Sequence, residues 1–256
     1  MSCYRLFVFD LDGTLLAADG SLPPETEAFV KELSCRARVT LATGRSLASA
    51  RPYALRLEIN APAVLYHGAV IWDFAGGKAL SERRIPPELA RRALEVAARF
   101  PLHVQLYRAA EDPTVYVERV TAPVREFARK ESLPVRTAAL DRLADEAPLK
   151  FLLIGEPSVL PSAGKALREA VPTLTVVRAE REYLEVLPPD VDKGTALEWL
   201  CGRLGIPLSQ VVAVGDQESD LSMIERAGLG VAMAHAPEGV KAKADKVVEA
   251  VWKLPI

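Results

Sequence analysis

Two carboxylates separated by one residue stand directly after the first apolar run of the chain. Asp10 and Asp12 follow the segment Leu6–Phe9, and Gly13 and Thr14 come next. A short run of large apolar residues is typical of a strand buried in a parallel sheet. Ligands of open α/β sheets bind beyond the carboxyl ends of the strands. The spacing therefore places two acids where such a fold carries out its chemistry.

Carboxylates this close together repel each other unless a cation or a proton lies between them. Oxygen ligands suit Mg2+, which binds proteins through one or two carboxylates together with substrate phosphate. A carboxylate in such a site can attack phosphorus and form an aspartyl-phosphate, while the second acid donates and accepts protons. The alternative is an ordinary turn, since Asp and Gly are frequent turn residues. A calcium loop of the EF-hand type does not match the acid spacing.

A second candidate site follows the next predicted strand, Arg38–Ala42. It consists of Thr43, Gly44 and Arg45, after which a helix is predicted from about residue 46. A hydroxyl, a guanidinium and the free N–H groups of a helix start together favour an anion. The alternative is a helix cap, in which Thr43 or Ser46 supplies the capping oxygen and the glycine forms the turn.

An acid at the end of a strand recurs in the last quarter of the chain. The apolar run VVAV leads to Gly215, and Asp216 and Asp220 follow at a predicted helix start. Asp216 can complete a magnesium site with Asp10 and the backbone carbonyl of Asp12. Asp220 would then be a supporting acid that orients a water molecule or Lys193. The alternative is a helix N-terminus that carries favourable acidic residues.

Two single residues complete the candidate set. Lys193 precedes a predicted helix, where a solvated surface lysine is the ordinary interpretation. His67 follows the third predicted strand, and it either touches a substrate or packs within the turn. The acid pair, the anion loop, the lysine and the second acid all lie at strand ends or helix starts of one α/β unit. A shared pocket explains this coincidence better than four separate structural roles.

These segments together resemble the haloacid dehalogenase-like (HAD) superfamily, and within it the Cof-type phosphatases with a large cap. FDLDGTLL, LATGR, DVDKGTAL and GDQESD match the four motifs of that family, and the resemblance covers essentially the whole chain. It implies that Asp10 is the nucleophile and Asp12 the general acid and base. It also implies that Thr43 and Lys193 bind the transferring phosphoryl group. Asp216 is implied as a ligand of Mg2+, together with Asp10 and Asp12.

The same resemblance assigns supporting roles and shows departures. It implies that Gly44, Arg45 and His67 bind substrate and that Ser219 and Asp220 support the metal site. The family usually has Asn where this chain has Ser219 and His67, and often where it has His235. A serine at position 219 keeps a hydroxyl but loses an amide, so Mg2+ or its ligand is expected to be held less tightly. None of the departures removes a catalytic group.

The order of predicted elements divides the chain into two parts. Both ends follow a βαβ order, whereas the middle mixes antiparallel strands with helices, as in α+β proteins. The predicted fold class is α/β: a Rossmann-like parallel-sheet HAD core with an inserted α+β cap domain. The core is predicted to comprise residues 1–81 and 187–256, and the cap residues 82–186.

Composition narrows the classes of partner. The chain has 256 residues and a formal net charge of −2, with no basic stripe and no apolar run of membrane-spanning length. Neither nucleic acid nor a membrane is therefore an expected partner. Cys3, Cys35 and Cys201 are few and far apart, which favours a reduced cytoplasmic location over a disulfide framework or a zinc site. The expected partner is a small phosphorylated metabolite, bound by a monomer or homodimer.

The preferred hypothesis is a Mg2+-dependent phosphomonoester hydrolase that acts on a sugar phosphate or similar metabolite through an aspartyl-phosphate. One alternative is a phosphomutase, which returns the phosphoryl group to the substrate instead of passing it to water. The other is a non-enzymatic binding protein built on the same scaffold. An acid at position 12 favours hydrolysis, because the intermediate then has a base that can activate water.

Overall fold

A computed structural model describes residues 4–254 of the chain. The described residues form two compact units. The first, called the core unit below, lies within residues 1–45, 50–81 and 192–256, and the second, called the inserted unit, consists of residues 46–49 and 82–191. The inserted unit continues beyond the predicted boundary at residue 186, because its last strand runs on to Pro189.

The strands in chain order are β1 Leu6–Phe9, β2 Arg38–Leu41, β3 Ala63–Leu65, β4 Val70–Asp73, β5 Lys78–Glu82, β6 His103–Tyr107, β7 Val115–Val117, β8 Val135–Thr137, β9 Lys150–Ile154, β10 Leu174–Glu180, β11 Tyr183–Pro189, β12 Val211–Gly215, β13 Leu229–Met233 and β14 Lys246–Val248. The α-helices are α1 Pro24–Ser34, α2 Leu47–Arg56, α3 Pro87–Ala97, α4 Ala122–Glu131, α5 Leu140–Ala144, α6 Leu160–Ala170, α7 Lys193–Leu204, α8 Leu221–Ile224 and α9 Glu238–Lys241.

The core unit is built on a parallel sheet with the strand order β14-β13-β12-β1-β2. Strand β1 lies between β12 and β2, and its residues are paired in parallel with both neighbours. All four of its side chains are buried, as expected for a strand covered on both faces. Because parallel strands end at the same edge, the residues after β1, β2 and β12 lie beside one another. The predicted α/β class with a parallel-sheet core is confirmed.

Helix α7 packs against this sheet and thereby places its own first residue. Its apolar residues Leu197 and Leu200 are fully buried in a cluster that also contains Leu6 and Val8 of β1. Burying side chains of this size contributes about 1.5–3 kcal/mol each. The helix starts at Lys193, so its packing holds the lysine at the carboxyl edge of the sheet.

The inserted unit contains a separate sheet with the order β10-β11-β9-β6-β7-β8. Its strands pair in antiparallel fashion except for β7 and β8, which are parallel. Helices α3, α5 and α6 contribute apolar residues to a core on one face of this sheet. The mixed α+β character predicted for this segment is therefore confirmed. Strand β8 and helix α5 were not predicted, since both are short and β8 has exposed side chains.

Two further expectations concern compartment and membrane. Cys35 and Cys201 both carry free thiols, whereas Cys3 lies outside the described residues. Among residues 4–254, no helix combines the length and the apolar character that crossing a bilayer requires.

Candidate active site

Asp10 lies at the carboxyl end of the central strand. Its backbone N–H donates to the carbonyl oxygen of Val214 at 2.9 Å, which continues the parallel pairing of β1 with β12 by one residue. The residue is only 5% exposed. A carboxylate buried to this degree needs partners that stabilise its charge.

Lys193 provides one such partner. Its Nζ lies 2.6 Å from Oδ1 of Asp10 and 2.5 Å from Oδ1 of Asp220, and the lysine itself is 2% exposed. The preceding Asp192 caps helix α7 by accepting the N–H of Thr195, so the lysine is fixed at the first helical position. Lys193 is thus a buried bridge between two acids rather than a solvated surface residue.

Asp216 and Asp220 are joined through the turn that follows β12. Oδ2 of Asp220 accepts the backbone N–H groups of Asp216 and Gln217, each at 2.9 Å. Thr14 donates its hydroxyl to Oδ1 of Asp216 at 3.2 Å. Gly13 also lies against Asp216. Its φ is +80°, and a Cβ at this position would lie 2.4 Å from Oδ2 of Asp216. Any side chain at position 13 would therefore collide with the carboxylate of Asp216, so this position needs a glycine.

The electrostatics of this cluster are dominated by buried negative charge. Burial raises the pKa of Asp10 well above its ordinary value, although Lys193 acts in the opposite direction. Burial likewise raises the pKa of Asp216, and the charge of Asp220 adds to the effect. For Lys193, burial lowers the pKa, but the two neighbouring carboxylates outweigh it and the net shift is upward. The cluster thus holds three carboxylates and one ammonium, which contacts two of them, Asp10 and Asp220.

The cluster fits a divalent cation. Asp10, Asp216 and Asp220 offer carboxylate oxygens that lie within 4.8 Å of one another. Hard oxygen donors of this kind suit Mg2+. Burial raises the pKa of both Asp10 and Asp216, and a positive charge beside them would favour their ionised forms. Oδ2 of Asp220 already accepts two backbone N–H groups and its Oδ1 accepts from Lys193, whereas each oxygen of Asp216 accepts a single side-chain donor. Asp10 and Asp216 are therefore the better placed carboxylate ligands.

Asp12 turns its side chain to a different partner. Its two oxygens accept from Nε and Nη2 of Arg45 at 2.8 and 2.7 Å, which is a bidentate ion pair. The guanidinium also lies over the ring of Tyr53, 5.1 Å from its centroid. The carboxylate of Asp12 is half exposed, at 53%. The prediction of Asp12 as a metal ligand concerned its backbone carbonyl, so this pairing leaves that prediction open.

Thr43, Gly44 and His67 form a second contact group beside β1. The hydroxyl of Thr43 accepts the N–H of Arg45 at 3.1 Å, and the carbonyl of Thr43 accepts the N–H of His67 at 3.0 Å. The imidazole of His67 packs on Gly44, where a Cβ would lie 2.2 Å from Nε2. His67 is 6% exposed. These contacts shape the predicted anion loop through packing and backbone hydrogen bonds.

The remaining predicted residue and two others lie around Asp216. Ser219 is half-buried in the 3-10 turn Glu218–Asp220. Gln217 donates from Nε2 to Oδ2 of Asp216 at 2.7 Å, and Nε2 of His235 is 3.6 Å from the same oxygen. The sequence alone assigned Gln217 no role, because neither its residue type nor its spacing from the acids indicates a function.

Comparisons with known proteins identify the family of the chain. The family model of haloacid dehalogenase-like hydrolases matches residues 7–252. The HMP-PP phosphatase of Serratia proteamaculans is 30% identical over 244 residues, which cover 91% of this chain and 85% of that protein. The pyridoxal phosphate phosphatase YbhA of Escherichia coli is 27% identical over 255 residues, covering 95% and 93%.

Solved structures show the same relationship. A haloacid dehalogenase-like hydrolase from Bacteroides thetaiotaomicron superposes with a TM-score of 0.85 at 29% identity, over 96% of this chain and 94% of that one. A Thermotoga maritima protein superposes with a TM-score of 0.82 at 32% identity, over 96% and 92%. The chain therefore belongs to the haloacid dehalogenase-like hydrolases and is one of the family's Cof-type phosphatases.

Proposed function

We propose that this enzyme is a Mg2+-dependent phosphomonoester hydrolase that acts on a small phosphorylated metabolite through an aspartyl-phosphate on Asp10. The observation that carries the proposal is the buried contact of Asp10 with Lys193, next to Asp216 and Asp220. A carboxylate held by an ammonium beside further acids is suited to an anionic phosphoryl group, provided that a cation joins them.

The proposed reaction proceeds in two displacements. In the first, an oxygen of Asp10 forms a bond to phosphorus, the bond from phosphorus to the leaving oxygen breaks, and Asp12 donates a proton to that oxygen. In the second, Asp12 takes a proton from water, the water oxygen bonds to phosphorus, and the acyl-phosphate bond breaks. Phosphate leaves and the Asp10 carboxylate is restored. Lys193 balances charge on the phosphoryl oxygens throughout, so catalysis consists mainly of positioning and charge stabilisation.

The residues that would hold Mg2+ are Asp10, Asp216 and the backbone carbonyl of Asp12. When bound, the ion would supply positive charge next to the phosphoryl oxygens. Asp220 would support the site without binding the ion, since it holds both Lys193 and the backbone of the turn that carries Asp216. Thr43, Gly44, Arg45 and His67 are proposed to complete the substrate loop.

The proposed substrate class is supported by the relatives and by the place of the inserted unit in the chain. Two similar proteins are named for HMP-PP and pyridoxal phosphate, both small phosphorylated compounds. The inserted unit lies between the second and third motifs, which is the cap position of the family, and it is proposed to select the leaving group. Sugar phosphates and phosphorylated cofactors of similar size are the compounds to test first.

The proposed function predicts release of inorganic phosphate from a panel of small phosphorylated metabolites. Release should require added MgCl2 and stop on addition of EDTA, because the buried acids need a cation to accept an anionic substrate. Phosphate release and isomer formation are measured in the same samples. Interconversion of isomers without net phosphate release would instead identify a mutase, and binding without turnover of any compound would identify a binding protein.

The pairing of Arg45 with Asp12 leads to a further expected result. Replacing Arg45 by alanine should lower kcat for alkyl phosphates by about tenfold to a hundredfold, because Arg45 fixes the orientation of the Asp12 carboxyl group that exchanges the proton with the leaving oxygen. Aryl phosphates need less protonation and should lose much less activity. Steady-state kinetics with one substrate of each kind measure the difference.

Replacement of Arg56 by alanine serves as the matched control for Arg45. Arg56 is an exposed arginine at the end of helix α2, which begins two residues after Arg45, and it pairs with Glu27 instead. Its loss should leave both substrates unaffected. An equal rise in KM for the alkyl and aryl substrates of the Arg45→Ala protein would assign Arg45 to substrate phosphate binding and reject the positioning of Asp12.

A further inference from the structure

The side chain of Gln217 bridges two acids of the site although it is itself exposed. Its Nε2 donates to Oδ2 of Asp216 at 2.7 Å. Its side-chain oxygen accepts the backbone N–H of Asp220, and the carboxylate of Asp220 accepts the N–H of Gln217 in return. The glutamine is therefore held at both ends of its amide, within the turn that follows β12.

The two contacts of Gln217 determine which way its amide points. A primary amide has one accepting oxygen and one donating nitrogen. Reversing the group would place its oxygen against the carboxylate of Asp216 and its nitrogen against the N–H of Asp220, so that both contacts would be repulsive. Only the observed orientation satisfies Asp216 and Asp220 together.

Asp216 receives hydrogen bonds on both of its oxygens. Thr14 donates to Oδ1 at 3.2 Å, and Gln217 donates to Oδ2. A carboxylate oxygen accepts more than one partner, so each retains capacity for a metal ion. Donors that lock a ligand carboxylate in one rotamer remove the cost of ordering it when the ion binds. Asp216 is only 2% exposed. Thr14 and Gln217, rather than solvent, therefore fix the orientation of its carboxylate.

We propose that Gln217 positions Asp216 for a divalent cation. Its amide nitrogen donates to the carboxylate of the adjacent Asp216 and thereby fixes the orientation in which that carboxylate can bind the ion. Gln217 acts through Asp216 and is not itself a metal ligand. This inference rests on the proposed function.

The test measures binding of MgCl2 to the metal-free protein by titration calorimetry, without substrate or turnover. Gln217→Ala should weaken binding about tenfold, the lower end of the range for residues that orient a metal ligand. Glu218→Ala is the control: Glu218 is an exposed neighbour in the same turn, and its loss should change the affinity much less than the loss of Gln217 does. Melting temperatures without Mg2+ establish that the variants are folded.

The outcomes separate this inference from the proposed function. If the unaltered protein binds MgCl2 and Gln217→Ala binds it equally well or more tightly, the role of Gln217 is rejected. If the unaltered protein binds no MgCl2, the magnesium dependence itself fails, whatever the behaviour of the variants.

Discussion

Replacing Asp10 by asparagine should lower kcat for every phosphorylated substrate by on the order of 10⁴-fold or more, to the background rate. An amide oxygen is a poor nucleophile, so no aspartyl-phosphate can form, and the two displacements lose their shared intermediate. Initial rates of phosphate release with MgCl2 present provide the measurement. Retained turnover would reject Asp10 as the nucleophile.

This loss of activity should not reflect unfolding. Burial makes the ionised Asp10 unfavourable, as the upward shift of its pKa shows. Asparagine has nearly the same shape without the charge, and Lys193 keeps its contact with Asp220. The melting temperature of the metal-free variant is therefore expected to equal or exceed that of the unaltered protein. A fall in melting temperature would mean that Asp10 also has a structural role in the fold.

Replacing Lys193 by methionine should reduce both stability and activity. The ammonium lies between Asp10 and Asp220, and without it two buried carboxylates face each other with no cation. Breaking a buried pair of this kind costs about 3–5 kcal/mol, which corresponds to a fall of roughly 10 °C in melting temperature for a chain of this size. Thermal unfolding of the metal-free protein near neutral pH measures the effect.

The stability lost in the Lys193→Met protein should depend on pH in a defined direction. Folding raises the pKa of Asp10, and its ordinary value is 3.8. The folded state therefore binds a proton more readily than the unfolded state, and stability rises as the pH falls toward that value. Melting temperatures about two pH units below neutrality should recover part of the loss, and MgCl2 should recover part of it at neutral pH by binding the folded state.

Lys165→Met provides the matched control for Lys193→Met. Lys165 is 79% exposed and lies 3.9 Å from Glu169, a surface pair of little energetic weight. Its melting temperature should be almost unchanged at either pH. If Lys193→Met melts like this control and retains hydrolysis, the buried bridge between Asp10 and Asp220 is not what holds the site together.

Local sequence patterns were sufficient for the parallel sheet and for the acids at its edge. The apolar runs of β1 and β12 identify buried strands because each is short, continuous and rich in large or branched side chains. An acid that directly follows such a strand must lie at the carboxyl edge, whatever the rest of the fold. For that reason Asp10 and Asp216 could be placed before any coordinates were known.

Residues with weak local signals were placed only by tertiary structure. Strand β8 is three residues long, with side chains that are half-buried or exposed, and it exists because β7 offers a free edge for pairing. The burial of Lys193 depends on Asp10, 183 positions earlier. The pair between Asp12 and Arg45 joins the ends of two strands. No spacing along the chain encodes such distances.

The sequence by itself determined the fold class, the family and the residue types available for phosphoryl chemistry, because motifs and periodicity are local properties. Tertiary structure alone decided which of those residues hold one another: Lys193 between two acids, Arg45 on Asp12, and Gln217 on Asp216. Charge pairing and burial depend on which strand ends the sheet brings together, and that is a property of the whole core.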